Sequence, residues 1–168
     1  ANPNSPSGTT TSPQRLGELA GALDGLLVVD EAYAAFADQD ALALLDAHRN
    51  VVLLRTLSKS HALAGLRLGF AIAHPAVLEG LVKVKDSYNV GAIAARVGAA
   101  ALRDVTYTRR MVARIKTSRN RLAAALETRG CRVWPSQANF LLMRPPGGDA
   151  ERVYRGLETR GILGRYFG

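Results

Sequence analysis

Five consecutive residues, Thr56-Leu57-Ser58-Lys59-Ser60, set an amine among hydroxyls, and eight positions beyond Lys59 an arginine stands in the glycine-bounded run Gly65-Leu66-Arg67-Leu68-Gly69. Hydroxyls and a guanidinium hold a dianion, and glycines let backbone approach it closely, so the grouping suits a phosphate beside a reactive amine. Asp30 closes the apolar run Leu26 to Val29 and is expected to be a buried carboxylate at the carboxyl edge of a sheet, where open α/β sheets bind ligands. Tyr33 follows three residues later. Each of these has an ordinary reading when taken alone: Lys59 as a solvated charge, Asp30 as a cap, Tyr33 as packing. Together a carboxylate, a phenol, an amine and a phosphate-binding arginine are what pyridoxal phosphate requires: partners for its ring nitrogen and phenolate oxygen, an imine-forming amine, and a phosphate anchor.

These residues need a scaffold. Leu26–Val29 and Val51–Leu54 are short continuous apolar runs that predict strands buried on two faces. Between them Ala41–Ala47, with Leu42, Leu44 and Leu45, predicts a crossover helix and hence parallel pairing, the logic of an α/β fold. Gly69–Ala73 predicts a third strand, antiparallel because the loop after Thr56 leaves little room for a crossover. Helices are predicted from Pro13 through Leu23, over Pro75–Lys85, over Ala92–Leu102 and over Thr106–Arg129. In the last, Met111, Ile115, Leu122 and Leu126 form the inward stripe, while Arg109, Arg110, Arg114, Lys116, Arg119 and Arg121 crowd the remainder, and Gly130 ends it. Strands at Cys131–Trp134 and Asn139–Met143, a Pro-Pro-Gly-Gly turn, a helix at Asp149–Arg160 and a final strand from Ile162 predict a second, smaller lobe. Residues Ala1–Ser12 carry loop chemistry, and the chain reads as starting in mid-protein and stopping at Gly168 inside or just after a strand.

Composition narrows the classes. The 168 residues suffice for one ordinary domain at ~150 residues each. Hydrophobic residues at 48% and charged residues at 21% exclude a disordered or collagen-like chain. No apolar stretch approaches the roughly 20 residues of a membrane span, and the N-terminus lacks a signal-peptide layout, so a soluble protein with no membrane partner is expected. A lone cysteine, Cys131, offers neither an internal disulfide nor a zinc cluster, which points to the cytoplasm and to no metal. The net charge of +8 suits phosphorylated ligands, nucleic acid or acidic membranes alike. No aromatic interleaving accompanies the arginine-rich helix, so no nucleic-acid partner is expected.

The segments Asn2-Pro-Asn-Ser-Pro-Ser-Gly8, Asp30-Glu-Ala-Tyr33, Thr56-Leu-Ser-Lys-Ser60 and Ala64-Gly-Leu-Arg-Leu-Gly69 resemble, in order and spacing, the signatures of class I/II, fold type I aminotransferases. Within that family Leu54-Arg-Thr-Leu-Ser-Lys59, Lys83-Val-Lys-Asp-Ser-Tyr-Asn89, Ser136-Gln-Ala-Asn-Phe140 and Gly161-Ile-Leu-Gly-Arg-Tyr-Phe167 are similar to the histidinol-phosphate aminotransferases of histidine biosynthesis. The resemblance covers essentially the whole chain. It implies a PLP-dependent transferase-like α/β fold of the aspartate aminotransferase type, with residues 1–103 as the second half of the large mixed-sheet, cofactor-binding domain and 104–168 as an incomplete small α+β domain. The family's N-terminal half, with its glycine-rich loop and ring-stacking aromatic, has no match here, nor has its late Leu-Arg-Ile-Thr-Val-Gly segment. A fragment of a longer enzyme is therefore expected.

The same resemblance implies roles. Lys59 would form the imine with pyridoxal 5'-phosphate, Asp30 would pair with the ring nitrogen, and Tyr33 with the phenolate oxygen. Ser58 and Arg67 would hold the phosphate, with Thr56 as a helper. The phenolate oxygen also expects an amide from the first motif, where the family's usual Asn is replaced by Ser5 after Asn4, so either residue could make the contact. Arg165 would bind the substrate's phosphate end, and Asn139 would lie near the site or serve as a polar turn residue. His61 replaces a usual aromatic and is expected to pack, and Gly164 replaces an apolar residue beside Arg165. The implied reaction transfers an amino group between histidinol phosphate and 2-oxoglutarate in a cytoplasmic homodimer. Competing readings are an aromatic aminotransferase, a threonine-phosphate decarboxylase, a basic binding module, and a remnant without chemistry.

Overall fold

A computed structural model describes residues 1–167. Helix α1 (Pro13–Ala22) starts where Ser12 accepts a hydrogen bond from the Arg15 amide and Pro13 presets the first turn. Its buried Leu16 and Ala20 pack on strands β1 (Leu27–Asp30) and β2 (Val51–Thr56) and on the one-turn helix α2 (Leu44–Ala47). Asn50 ties this layer together, donating to Ala20 O at 2.9 Å and Gly25 O at 3.0 Å. The crossover segment yields a single helical turn rather than the expected seven-residue helix, because residues 41–43 are spent in a turn.

β1 and β2 pair in parallel with Asp30 opposite Leu54, and β2 pairs antiparallel with β3 (Gly69–Ala73) with Thr56 opposite Gly69. The sheet order β1-β2-β3 makes β2 central. Its Val51, Val52 and Leu53 are all buried, as a strand covered on two faces requires. β1 departs from expectation: Val29 is buried but Val28 is 53% exposed. Val29 packs with Leu16 and Ala20 of α1, whereas among the described residues the face of β1 that carries Val28 has no such cover.

Helices α3 (Pro75–Val84), α4 (Ala92–Arg103) and α5 (Val105–Glu127) follow. Asp104 caps α5 by accepting from the Tyr107 amide, and Gly130, at φ 78°, ends it as expected while Cys131 N returns to Leu126 O. The orientation of α5 corrects the sequence reading. Leu122 is exposed, whereas Lys116 and Arg119, assigned to the solvated face, turn inward onto Asp38 and onto Ala138 O. Long cationic side chains reach polar partners that short apolar ones cannot.

The last third is thinner. Strands β4 (Arg132–Val133) and β5 (Met143–Arg144) form a two-residue antiparallel ladder, followed by helix α6 (Ala150–Glu158) with Asp149 as its cap. Of the strand expected over Asn139–Met143, Asn139 and Phe140 lie in a bend instead, where Ser136 Oγ bonds Phe140 O, and only Met143 joins the ladder, with Leu142 O accepting from Trp134 N beside it. No strand forms over residues 162–167, since no neighbouring strand among the described residues offers a ladder. The expectation concerning Gly168 lies outside the described residues.

Candidate functional site

Asp30 and Thr56 end two adjacent parallel strands, so the chain leaves both at one edge of the sheet. From β1 it turns at once: Ala32 N donates to Asp30 Oδ1 at 2.9 Å, and a 3-10 turn over Ala34–Phe36 buries Ala34 and Phe36. Tyr33 therefore sits at the sheet edge, its ring edge-on to Phe140 at a centroid distance of 5.0 Å. From β2 the chain enters the lysine loop. Lys59 Nζ hangs 5.2 Å from the Tyr33 ring centroid, which brings amine and phenol together as expected.

The loop around Lys59 is built on hydroxyls. Thr56 Oγ1 bonds Ser58 Oγ at 2.9 Å, accepts from Ser58 N at 3.1 Å and donates to Leu68 O at 3.2 Å, so the strand end and the segment before β3 are stitched together. Gly69 is needed there: a Cβ would lie 2.8 Å from Arg55 O. Ala62 and Arg67 hold left-handed φ of 56° and 53°, a region costly for residues with a Cβ. Arg67 Nη1 donates to Ala64 O at 3.1 Å and meets no carboxylate among the described residues. His61 Nδ1 pairs with Ser60 Oγ at 3.0 Å, and burial lowers its pKa, in keeping with a packing role.

The N-terminal loop closes over this edge. Asn2 N donates to Asp30 O at 2.8 Å, and Ser5 and Pro6 line a cleft of about 520 Å³ together with Tyr33, Phe140, Tyr154 and Arg165. Arg165 thus shares a cavity with Tyr33. Of the two first-motif candidates, the Asn4 side chain is engaged with Ser7 Oγ, whereas Ser5 faces the cleft. Asn139 is placed elsewhere, in a groove against α5 with Met111, Ile115 and Ser118.

Asp30 departs from expectation, being exposed; the buried carboxylate is the adjacent Glu31, whose side chain is 0% exposed. Glu31 Oε2 accepts from Arg55 Nε at 2.9 Å and Nη2 at 2.7 Å, and Glu31 Oε1 from Ala41 N at 2.7 Å. Burial alone would lower the Arg55 pKa, but its bonds to Glu31 and Asp40 carry it above the ordinary value. The signal that could have revealed this pair is the charge in Val51-Val-Leu-Leu-Arg55, since a cation inside an apolar strand must be paired. Phe140 was likewise absent from the expected site.

The donor set suits pyridoxal phosphate. The Lys59 amine makes no hydrogen bond or ion pair among the described residues, Ser58 and Arg67 offer an anion hydroxyl and guanidinium, and Asp30 Oδ2 accepts no bond.

Known proteins are similar to this chain along nearly its whole length. A family model described as aminotransferase class I and II matches residues 1–164. Histidinol-phosphate aminotransferase 1 of Nostoc sp. is 54% identical over 99% of this chain and 47% of its own length. The histidinol-phosphate aminotransferase of Geobacter sulfurreducens is 50% identical over 98% of this chain and 47% of its own. Among solved structures, histidinol-phosphate aminotransferase from Sinorhizobium meliloti in complex with pyridoxal-5'-phosphate aligns with a TM-score of 0.87 at 30% identity, covering 99% of this chain and 48% of that one. The chain spans about half the length of the curated relatives it matches. With a family match running from the first residue through the lysine loop to Gly164, and with the lysine, tyrosine and aspartate converging at one sheet edge, the chain belongs to the class I and II aminotransferases.

Proposed function

We propose that this chain supplies the cofactor-holding residues of a pyridoxal-phosphate-dependent aminotransferase that exchanges an amino group between histidinol phosphate and 2-oxoglutarate. The observation that carries the reading is the unpaired Lys59 amine beside Tyr33 at the sheet edge that Asp30 ends. Relatives at 54% and 50% identity bearing the histidinol-phosphate aminotransferase name support the substrate.

When bound, the cofactor supplies an electron-accepting ring that stabilises charge left on a substrate carbon. Lys59 would hold the cofactor through its amine, and that amine, set beside Tyr33, would serve as the base that takes a proton from the substrate carbon. Asp30, whose Oδ1 is taken by the Ala32 amide, would pair through its carboxylate with the ring nitrogen and keep it protonated. Tyr33 and Ser5 donate to the phenolate oxygen, with Asn4 beside Ser5. Ser58 and Arg67 bind the phosphate, and Thr56 orients Ser58 through their 2.9 Å bond. Arg165, across the cleft, takes the substrate's phosphate end, and Asn139 stands outside this set as a polar turn residue. Residues 1–103 belong to the large domain and 104–168 to the small one, in line with their separate sheets. The assembly is a cytoplasmic homodimer, and among the described residues no helix is long and apolar enough to cross a membrane.

The test is the visible absorbance of the chain with pyridoxal phosphate, followed by borohydride reduction and peptide mapping. A band that reduction fixes on Lys59, and that Lys59→Ala abolishes, is the expected result. Fixation on another lysine overturns the assignment. Transfer from histidinol phosphate to 2-oxoglutarate, compared with transfer from aromatic amino acids and with decarboxylation of phosphothreonine, then tests the substrate.

A further inference from the structure

We infer that the Glu31–Arg55 ion pair is a positioning device that fixes the spacing between Asp30 and the Thr56–Lys59 loop, an inference that rests on the function proposed above. Successive side chains on a strand point to opposite faces. Val29 and Leu53 face the core, and two residues on from each Glu31 and Arg55 lie on that same face, so Asp30 and Thr56 alternate onto the other. The ladder continues one step past β1, with Glu31 N donating to Leu54 O at 2.8 Å. The ion pair therefore bolts together, from behind, the two strand ends whose front faces carry Asp30 and Thr56.

The bolt is bonded on several sides. The Glu31 carboxylate takes both prongs of the Arg55 fork and the Ala41 amide, and Arg55 Nη2 reaches Asp40 Oδ2 at 2.9 Å. A buried ion pair is a poor source of net stability, because apolar residues of the same volume often replace it without loss. What an apolar pair cannot supply is direction: two guanidinium donors converging on one carboxylate oxygen, whose sister oxygen is held by a backbone amide, fix distance and angle at once. The pair stands one residue from Asp30 on one strand and one from Thr56 on the other. Glu31 and Arg55 touch no ligand in this reading; they act through their neighbours.

The test is Glu31→Gln, which keeps shape but removes the charge and leaves one acceptor oxygen, able to serve either the Arg55 fork or the Ala41 amide but not both. In the chain without cofactor, amide exchange followed by NMR is expected to rise ~tenfold at Ala32, which reports on Asp30, and at Ser58, which reports on Thr56, while Val52 and Leu53 stay protected. With pyridoxal phosphate added, uptake weakens on the order of tenfold and the pH midpoint of the visible absorbance moves, because a displaced Asp30 holds the ring proton less well. Arg55→Lys keeps the charge, loses the fork, and is expected to give the same changes. Lys116→Met removes a 2.7 Å ion pair away from the strand ends and is expected to move the melting temperature alone. Unchanged exchange and midpoint in folded Glu31→Gln, the same midpoint shift in Lys116→Met, or failure of both pair variants to fold each overturns the inference. If the wild-type chain takes up no pyridoxal phosphate, the proposed function fails, and amide exchange still decides the positioning role.

Discussion

The β1–β2–β3 region and the segment from Cys131 to Phe167 are held together by different means. In the first, backbone ladders fix register over several residues and Leu53, Val51 and Phe36 are fully buried. In the second, the ladder has two steps, and no residue of α6 is buried. Order there comes from single polar contacts: Ser136 Oγ on Phe140 O, Gln137 Oε1 on Asp38 N, and Arg119 on Ala138 O. The comparison teaches that the lysine and aspartate are set by a cooperative sheet, whereas Phe140 is placed in the cleft by single contacts, its carbonyl on Ser136 Oγ and its ring on Tyr33.

Four measurements break or sharpen this contrast. Leu53→Ala, at the centre of β2, is expected to cost ~2–5 kcal/mol in denaturant unfolding, while Leu142→Ala, only partly buried, costs less than half as much. Gly8→Ala strikes the junction of the two regions: its Cβ would lie 2.3 Å from Ser136 Oγ at a φ of 77°, and Gly8 O accepts from Gln137 N. A loss of ~1–3 kcal/mol is expected, together with faster proteolysis after Trp134 rather than within the sheet.

Asp38→Asn is expected to cost only ~0.5 kcal/mol, because its pair with Lys116 is largely solvated and screened by salt. The pH dependence sharpens this. The hydrogen bond from Lys116 first, then that from Gln137 and the Lys116 charge, hold Asp38 below its ordinary 3.8. A depressed folded value means the contribution is complete above 3.8 and fades as pH falls through the lower folded value; Asp38→Asn lacks this acid loss in melting curves. The smallest effect belongs to His61, whose pKa burial lowers from 6.5. On acidification the unfolded chain takes up the proton first, so stability declines below 6.5 and levels off beneath the folded value; His61→Gln flattens that step.

The sequence by itself determined the elements whose signals are local and repeated. Pro13 and the apolar spacing after it specified α1, although Leu19 and Leu23 end up exposed, the run Val51–Leu54 specified β2, although Leu54 is exposed, and the short loop before Gly69 specified an antiparallel third strand. Lys59, Tyr33 and Asp30 were legible as a set because strand-end residues of neighbouring strands converge whatever the rest of the chain does. Tertiary structure alone decided what depends on neighbours distant in sequence. Ile162 onward carries strand-like residues but meets no partner strand among the described residues, Lys116 and Arg119 turn inward because Asp38 and Ala138 O wait there, and Asn139 falls in a bend set by Ser136. The burial of Glu31 rather than Asp30 has the same origin: alternation placed them on opposite faces, and only the approach of Arg55, twenty-four residues away, made the core face able to hold a charge.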